Sequence, residues 1–251
     1  MRMRNTSNTV EQLALRIDCN QTGSNDLDAF LINAAAPRQD DRALDLGCGS
    51  GKQLKNVAPL VSSIVGLDLS PKLIEEVGKQ NIAGNIRLVV GSMDNVTDLI
   101  TETFTLVYSC YALYYSSDVN ALVNKVSRVL LEPTGRFFVV SPDAGNNEEW
   151  FFDLQQMYSL PDDILYSQKV TRDLILPAIL DNFGKVTCMR FENIIEYHTL
   201  DQLMNYYDGC GSYCRQDKRG EALEFFGSKI AKQGRYCIRK CAMGMLAEHG
   251  Q

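Results

Sequence analysis

Asp45 and Asp68 are two carboxylates spaced to grip a polar ligand, and three alternating glycines follow Asp45 at positions 47, 49 and 51. The stretch Ala43–Lys52, ALDLGCGSGK, reads as an apolar strand that runs into a glycine-dense turn and opens a helix. Glycine lets such a turn double back tightly and lets a ligand approach the backbone, because no Cβ stands in the way. Twenty-three residues after Asp45 a second apolar run, IVGLD, ends on Asp68. A carboxylate at the tip of the strand after a glycine turn is suited to accept the hydroxyls of a ribose. Together these residues describe a site for an adenosine-containing cofactor.

The spelling narrows the cofactor. A dinucleotide fingerprint requires G-x-G-x-x-G, and counted from Gly47 its last place falls on Lys52. A phosphate-binding G-x-x-x-x-G-K-[ST] loop would start on Leu46 and end on Gln53, so it lacks both its first glycine and its magnesium-binding hydroxyl. What remains, D-x-G-x-G-x-G, resembles the first motif of the class I S-adenosylmethionine-dependent methyltransferases. That resemblance implies that Asp45 and the turn Gly47, Cys48, Gly49 and Gly51 surround the methionine part of S-adenosylmethionine, where free N–H groups of the following helix suit its carboxylate. It implies that Asp68 accepts the ribose hydroxyls and that Leu69 lies against the adenine. The family's next motif falls on GSMDN, residues 91–95, and makes Ser92, Met93 and Asp94 candidates for the adenine edge. Many relatives carry aspartate where this chain has Ser92, and Asp94 has the alternative of capping the next helix. Ser109, near the end of the fourth strand, completes the implied cofactor set.

By the same resemblance the stretch Ser109-Cys110-Tyr111-Ala112-Leu113-Tyr114-Tyr115 lies beneath the reactive methyl group, between cofactor and acceptor. Some relatives carry histidine or an acidic residue there. This chain carries tyrosines, and its two histidines, His198 and His249, fall outside the motifs. A tyrosine with an ordinary pKa near ~10 is a poor base at neutral pH. No catalytic residue is therefore assigned, and Asp143, Glu148 and Glu149 are the nearest acidic candidates should the acceptor be an alcohol. A sulfonium methyl is already electrophilic, so alignment and exclusion of water can carry most of the transfer. Tyr111 and one of Tyr114 and Tyr115, here Tyr115, with Trp150 and Arg215, are the acceptor-contact candidates. The alternative is packing, with the tyrosines on the helix after them and Trp150-Phe151 on the buried face of a helix.

Elements that could position these residues follow a strand–helix alternation, the pattern of a parallel sheet covered on both faces. Helices are expected at Val10–Ile17, Asn25–Ala36, Gly51–Leu60, from Pro71 with Ser70 as cap, and at Asp118–Leu131. Strands are expected at Ala43–Leu46, Ile64–Asp68, Ile86–Val90, Leu106–Ser109, Arg136–Ser141, Gly184–Asn193 and Gly234–Ala247. The expected fold is α/β: a Rossmann-like, doubly wound, mostly parallel seven-stranded sheet with helical insertions late in the chain. The whole chain, 1–251, is read as a single domain, with 143–182 and 199–233 as substrate-binding or cap insertions.

The net charge is −6, yet the window Ser212–Cys241 holds eight basic residues against three acidic ones. That asymmetry suits either a solvated helix face or an electropositive rim for an anionic, phosphorylated or nucleotide-linked acceptor. An acidic balance argues against a broad nucleic-acid footprint. The first residues show no signal peptide and no run is long and apolar enough to span a membrane, so a cytoplasmic location and no membrane partner are expected. Eight cysteines without an export signal read as reduced thiols, and the C-x3-C pairs Cys210/Cys214 and Cys237/Cys241 do not carry a metal expectation. The functional expectation is an enzyme that methylates O or N of a small molecule. The alternatives are an RNA or protein methyltransferase, or an inactive cofactor-binding subunit; the oligomeric state is left open.

Overall fold

Strands buried on both faces must read as continuous apolar runs, and the runs LDL, IVGL, LVYS and FFVVSP are the centre of the sheet. In the computed structural model, which describes residues 9–20, 23–80 and 84–250, they lie in β1 (Arg42–Leu46), β2 (Ser63–Asp68), β4 (Phe104–Cys110) and β5 (Leu131–Pro142). With β3 (Ile86–Val90), β6 (Lys185–Tyr197) and β7 (Tyr236–Glu248) they form one seven-stranded sheet in the order β3-β2-β1-β4-β5-β7-β6. Pairings from β3 to β5 are parallel, and β7 runs antiparallel to β5 from Arg136↔Glu248 to Pro142↔Ala242. The order of strands reverses between β1 and β4. In open α/β sheets ligands bind at the carboxyl ends of the strands beside such a reversal.

The helices are α1 (Val10–Cys19), α2 (Leu27–Ala35), α3 (Lys52–Val57), α4 (Pro71–Gly78), α5 (Val96–Leu99), α6 (Val119–Lys125), α7 (Glu148–Gln155), α8 (Asp162–Tyr166), α9 (Leu176–Asn182), α10 (Leu200–Gly209) and α11 (Arg219–Gln233). Ser70 caps α4 by accepting from Leu73 N, and Asp118 caps α6 by accepting from Ala121 N. Two expected helices are shorter than their apolar periodicity. The one after the glycine turn ends at Val57 and tightens into a 3-10 turn, Ala58–Leu60, around Pro59, which has no N–H to continue the α ladder. The other leaves α geometry at Val126, widens into a π turn over Val126–Leu130 and passes straight into β5, which begins five residues earlier than its apolar run. That early segment, Leu131–Gly135, pairs with a register shift between Phe104 and Leu106, an irregularity that accommodates Pro133.

The chain divides into two compact units. Unit 2 holds the described parts of Leu27–Pro142, Lys169–Phe191 and Ala242–Gln251, and so contains β1–β5 with parts of β6 and β7. Its core includes Leu31 and Ala35 of α2, Leu54 and Val57 of α3, and Ala43, Ile64, Leu106 and Phe138 of the sheet. Unit 1 comprises the described part of residues 1–26 with Asp143–Gln168 and Glu192–Cys241. Its core is aromatic: Trp150 stacks on Phe226 at 5.0 Å and meets the edges of Tyr206, Tyr207 and Tyr236. Among the described residues no helix is long and apolar enough to cross a membrane.

Candidate functional site

The turn after β1 is held by its neighbour strand. Gly47 N and Cys48 N both donate to Leu67 O of β2, at 2.8 and 3.0 Å, and Gly51 N closes the turn on Cys48 O at 2.9 Å. All three glycines have left-handed φ: 83° at Gly47, 54° at Gly49 and 73° at Gly51. A Cβ at Gly47 would lie 2.3 Å from Ala112 Cβ, so both conformation and space require glycine there. A Cβ at Gly49 would meet nothing within 4 Å; the backbone at that point faces open space. Cys48 is buried, and its thiol is pushed far up by burial and by the charges of Asp45 and Asp68. Its contribution to a ligand is therefore shape and backbone.

Asp68 is fixed by the same turn. Oδ2 accepts from Gly49 N at 2.8 Å and Oδ1 accepts from Ser70 N at 2.9 Å. A carboxylate oxygen has a second acceptor position, so both remain able to take a hydroxyl. Leu69, the next residue, presents an apolar side chain that is 63% exposed. Met93 comes toward the turn from the β3 side, with Cε 3.3 Å from where a Gly47 Cβ would stand.

Asp45 is the anomaly of the site. It is buried, its Oδ2 has no hydrogen-bond partner, and its carboxyl is pushed up to about 8. Burial is the main cause, the Tyr108 hydroxyl opposes the rise, and the Asp68 charge adds to it. A buried acid held protonated by desolvation ionises when a cation arrives. S-Adenosylmethionine brings two, a sulfonium and an ammonium. The unpartnered Asp45 oxygen, the open space at Gly49 and the ready acceptors of Asp68 fit that molecule.

Two other sequence candidates have structural duties. Ser109 is buried and its hydroxyl donates to Leu46 O at 2.8 Å, which ties β4 to the end of β1. Asp94 ties the loop after β3 to the loop after β4: it accepts from Ser116 Oγ at 2.5 Å, Ser117 Oγ at 2.6 Å and Ser117 N at 3.1 Å. Ser92 caps this turn by accepting from Asp94 N at 3.2 Å. The Asp94–serine tie was not visible in the sequence, because Ser116 and Ser117 lie 22 and 23 residues away without any motif. It holds the tyrosine loop at its far end, where Tyr114 and Tyr115 meet edge to face at 4.6 Å. Tyr111, directly after β4, has φ 55°, a conformation that costs energy outside glycine.

The remaining acceptor candidates belong to unit 1. Trp150 is completely buried in the aromatic core, which leaves no side-chain atom for a ligand in this conformation. Arg215 is exposed, pairs with Asp217, and lies 5.8 Å from the Tyr158 ring. Of the eight basic residues between Ser212 and Cys241, six make ion pairs: Arg215 with Asp217, Lys218 with Glu221, Arg219 with Asp208, Lys229 with Asp153, Arg235 with Glu196, and Arg239 with Glu149 and Glu192. The segment is a paired face, and its formal charge is largely met by carboxylates of the same unit. A cleft of about 700 Å³ in unit 1 is lined in part by Glu148, Glu149, Phe152, Asp153, Lys229 and Tyr236.

Comparison with known proteins agrees with this geometry. Residues 44–139 match the methyltransferase domain family. The uncharacterized methyltransferase YcgJ of Bacillus subtilis is 28% identical over 114 residues, 44% of each chain. The ubiquinone biosynthesis O-methyltransferase of Xanthomonas oryzae pv. oryzae is 27% identical over 100 residues, 39% of this chain and 41% of that one. The chain thus spans under half the length of these curated relatives. A crystal structure of a SAM-dependent methyltransferase from Thiobacillus denitrificans, in complex with S-adenosyl-L-homocysteine, shares the fold with a TM-score of 0.57 at 17% identity, covering 99% of this chain and 100% of that one. Residues 44–139, which contain the glycine turn, match the methyltransferase domain family, and the chain shares its fold with a SAM-dependent methyltransferase.

Proposed function

We propose that this protein transfers the methyl group of S-adenosylmethionine to an oxygen or nitrogen of a small molecule. The observation that carries the reading is the turn Gly47–Gly51, pinned to Leu67 and Asp68 beside the unpartnered Oδ2 of Asp45. When bound, the cofactor supplies an electrophilic methyl. The chain's own part is to hold the ribose on Asp68, to meet positive charge with Asp45, and to present the acceptor from the loop Tyr111–Tyr115. Cys48, Gly49, Gly51, Leu69, Ser92 and Met93 complete the proposed cofactor wall. Catalysis by alignment needs no strong base, which suits a loop of tyrosines.

A small-molecule acceptor is supported by the similarity to an enzyme named for ubiquinone biosynthesis. Acceptor recognition is assigned to unit 1, all of which lies outside the family-matched residues and which has a cleft in the size range of small-ligand sites. A phosphorylated or nucleotide-linked acceptor draws little support from basic side chains that already have carboxylate partners. The same pairing weakens the nucleic-acid alternative.

Calorimetric titration tests the reading. Wild-type protein is expected to bind S-adenosylmethionine selectively over NAD and ATP, and Asp68→Ala to weaken binding by about 1–3 kcal/mol through loss of the ribose acceptor. A folded protein that binds none of the three would overturn it. Acceptor-dependent release of S-adenosylhomocysteine then separates an enzyme from a cofactor-binding subunit.

A further inference from the structure

An ion pair beside the glycine turn lies outside every motif. Lys52, the first residue of α3 and the neighbour of Gly51, is 3.1 Å from Asp28 Oδ2, and Gln53 Nε2 donates to Asp28 Oδ1 at 3.0 Å. Asp28 stands in the first turn of α2, which packs against α3. The Asp28 side chain is 12% exposed and that of Lys52 is 33%, so the pair is partly desolvated yet open on the lysine side.

Its place is fixed by the sheet. Asp68 ends β2, the glycine turn follows β1, and Cys110 ends β4, which flanks β1 on the side away from β2. The Cys110 thiol, pushed far up mainly by burial, also feels Asp45, Asp28 and Lys52. Because α2 also packs against β5, the strand beyond β4, the pair belongs to the β4 side of the turn, opposite Asp68. A ligand whose ribose rests on Asp68 and whose chain crosses the turn would bring its other end to Asp28 and Lys52.

That end of S-adenosylmethionine is an α-amino acid, with one carboxylate and one ammonium. We propose that Asp28 and Lys52 form the receptor for this zwitterion, Lys52 meeting the carboxylate and Asp28 the ammonium. This rests on the proposed cofactor reading. In the free protein each charge neutralises the other. With ligand present every charge again has an opposite partner, so no charge is left buried alone. Gln53 keeps the Asp28 carboxylate oriented in both states. A simple staple between α2 and α3 would also explain the pair, and it makes a different prediction.

The test compares S-adenosylhomocysteine with 5′-methylthioadenosine, which keeps the adenosine and thioether but lacks the amino acid. By calorimetry, Lys52→Met and Asp28→Asn are each expected to weaken S-adenosylhomocysteine about tenfold or more while leaving 5′-methylthioadenosine within about twofold, since only the former offers charges to the pair. Lys52→Arg is expected to retain the preference. Equal losses for both ligands, or no loss for either, would overturn the receptor and leave a helix staple. If wild-type protein binds 5′-methylthioadenosine as tightly as S-adenosylhomocysteine, the receptor fails while the cofactor site stands. If it binds neither, the cofactor reading itself has failed and takes the receptor with it.

Discussion

The two units place polar groups inside the protein in opposite ways. In unit 2 the buried anomaly is an acid, Asp45, set where three left-handed glycines and two backbone N–H groups aimed at Leu67 define the surroundings. In unit 1 its counterpart is a half-buried base, Lys240, whose ammonium donates to Asn147 Oδ1 and to the Tyr206 hydroxyl and lies 4.3 Å from the centre of that ring. One environment is written in backbone conformation and the other in large side chains. The first can be copied between proteins as a short local pattern; the second exists only when distant helices and strands have packed. This is a physical reason why residues 44–139 match a family and all of unit 1 lies outside the match.

The largest expected effect breaks the side-chain environment directly. Trp150→Ala removes a ring that is completely buried and stacked on Phe226. Emptying such a position costs about 3–5 kcal/mol, from lost burial and from the cavity that remains. The indole Nε1 has no hydrogen-bond partner, so packing accounts for the whole loss. Urea unfolding followed by circular dichroism measures it. A cost below about 1 kcal/mol would mean that the aromatic core repacks freely and does not depend on its centre.

A smaller effect is tied to pH and to unit 2. Asp45 has its carboxyl raised to about 8 from an ordinary 3.8, so between those values the folded chain holds a proton that the unfolded chain has released. Stability without cofactor therefore falls as pH rises from about 4 to about 8, with a slope of at most about 1.4 kcal/mol per pH unit for one proton. Asp45→Asn removes that slope. Unfolding midpoints at pH 5 and pH 8 for both proteins provide the check, and an unchanged slope in the variant would show that Asp45 is already ionised by some other route.

The same contrast explains what could be read in the sequence. The strand order's core, the glycine turn and the Ser70 and Asp118 caps depend on residues within a few places of one another, and their spelling shows them. Asp68 was legible because a strand end and a carboxylate coincide. The Asp94 tie to Ser116 and Ser117, the Asp28–Lys52 pair and the pairing of the basic segment were not, because their partners come from separate elements. Trp150 shows the limit most clearly. Its neighbours Glu149 and Phe151 fix its helix, but only Tyr206, Tyr207, Phe226 and Tyr236 make it core. The short α3 was concealed in another way, since Leu54, Val57 and Leu60 keep helical spacing through a turn that Pro59 has already tightened.

Lys240 sharpens the comparison with the smallest effect. Burial lowers its ammonium to about 7 from an ordinary 10.5; Cys210 opposes that shift, Arg16 adds to it, and Cys19 and Cys214 oppose it again. Between about 7 and 10.5 the unfolded chain carries a proton on this lysine that the folded chain lacks, so this group makes stability rise with pH, the reverse of Asp45. One proton titrates in each case, so the rise has the same ceiling on its slope as the fall caused by Asp45, and only its pH window is narrower. Lys240→Met also removes the bonds to Asn147 and Tyr206, which hold the first turn of α7 and lower stability at every pH when lost. The level of stability therefore cannot separate charge from hydrogen bonding, but the slope can. Unfolding midpoints at pH 7.5 and pH 9.5 are expected to rise less in Lys240→Met than in the wild type. An equal rise in both would place the titrating group elsewhere, in the cysteines and tyrosines around it, and would leave Lys240 as a hydrogen-bond donor whose charge state does not govern unit 1.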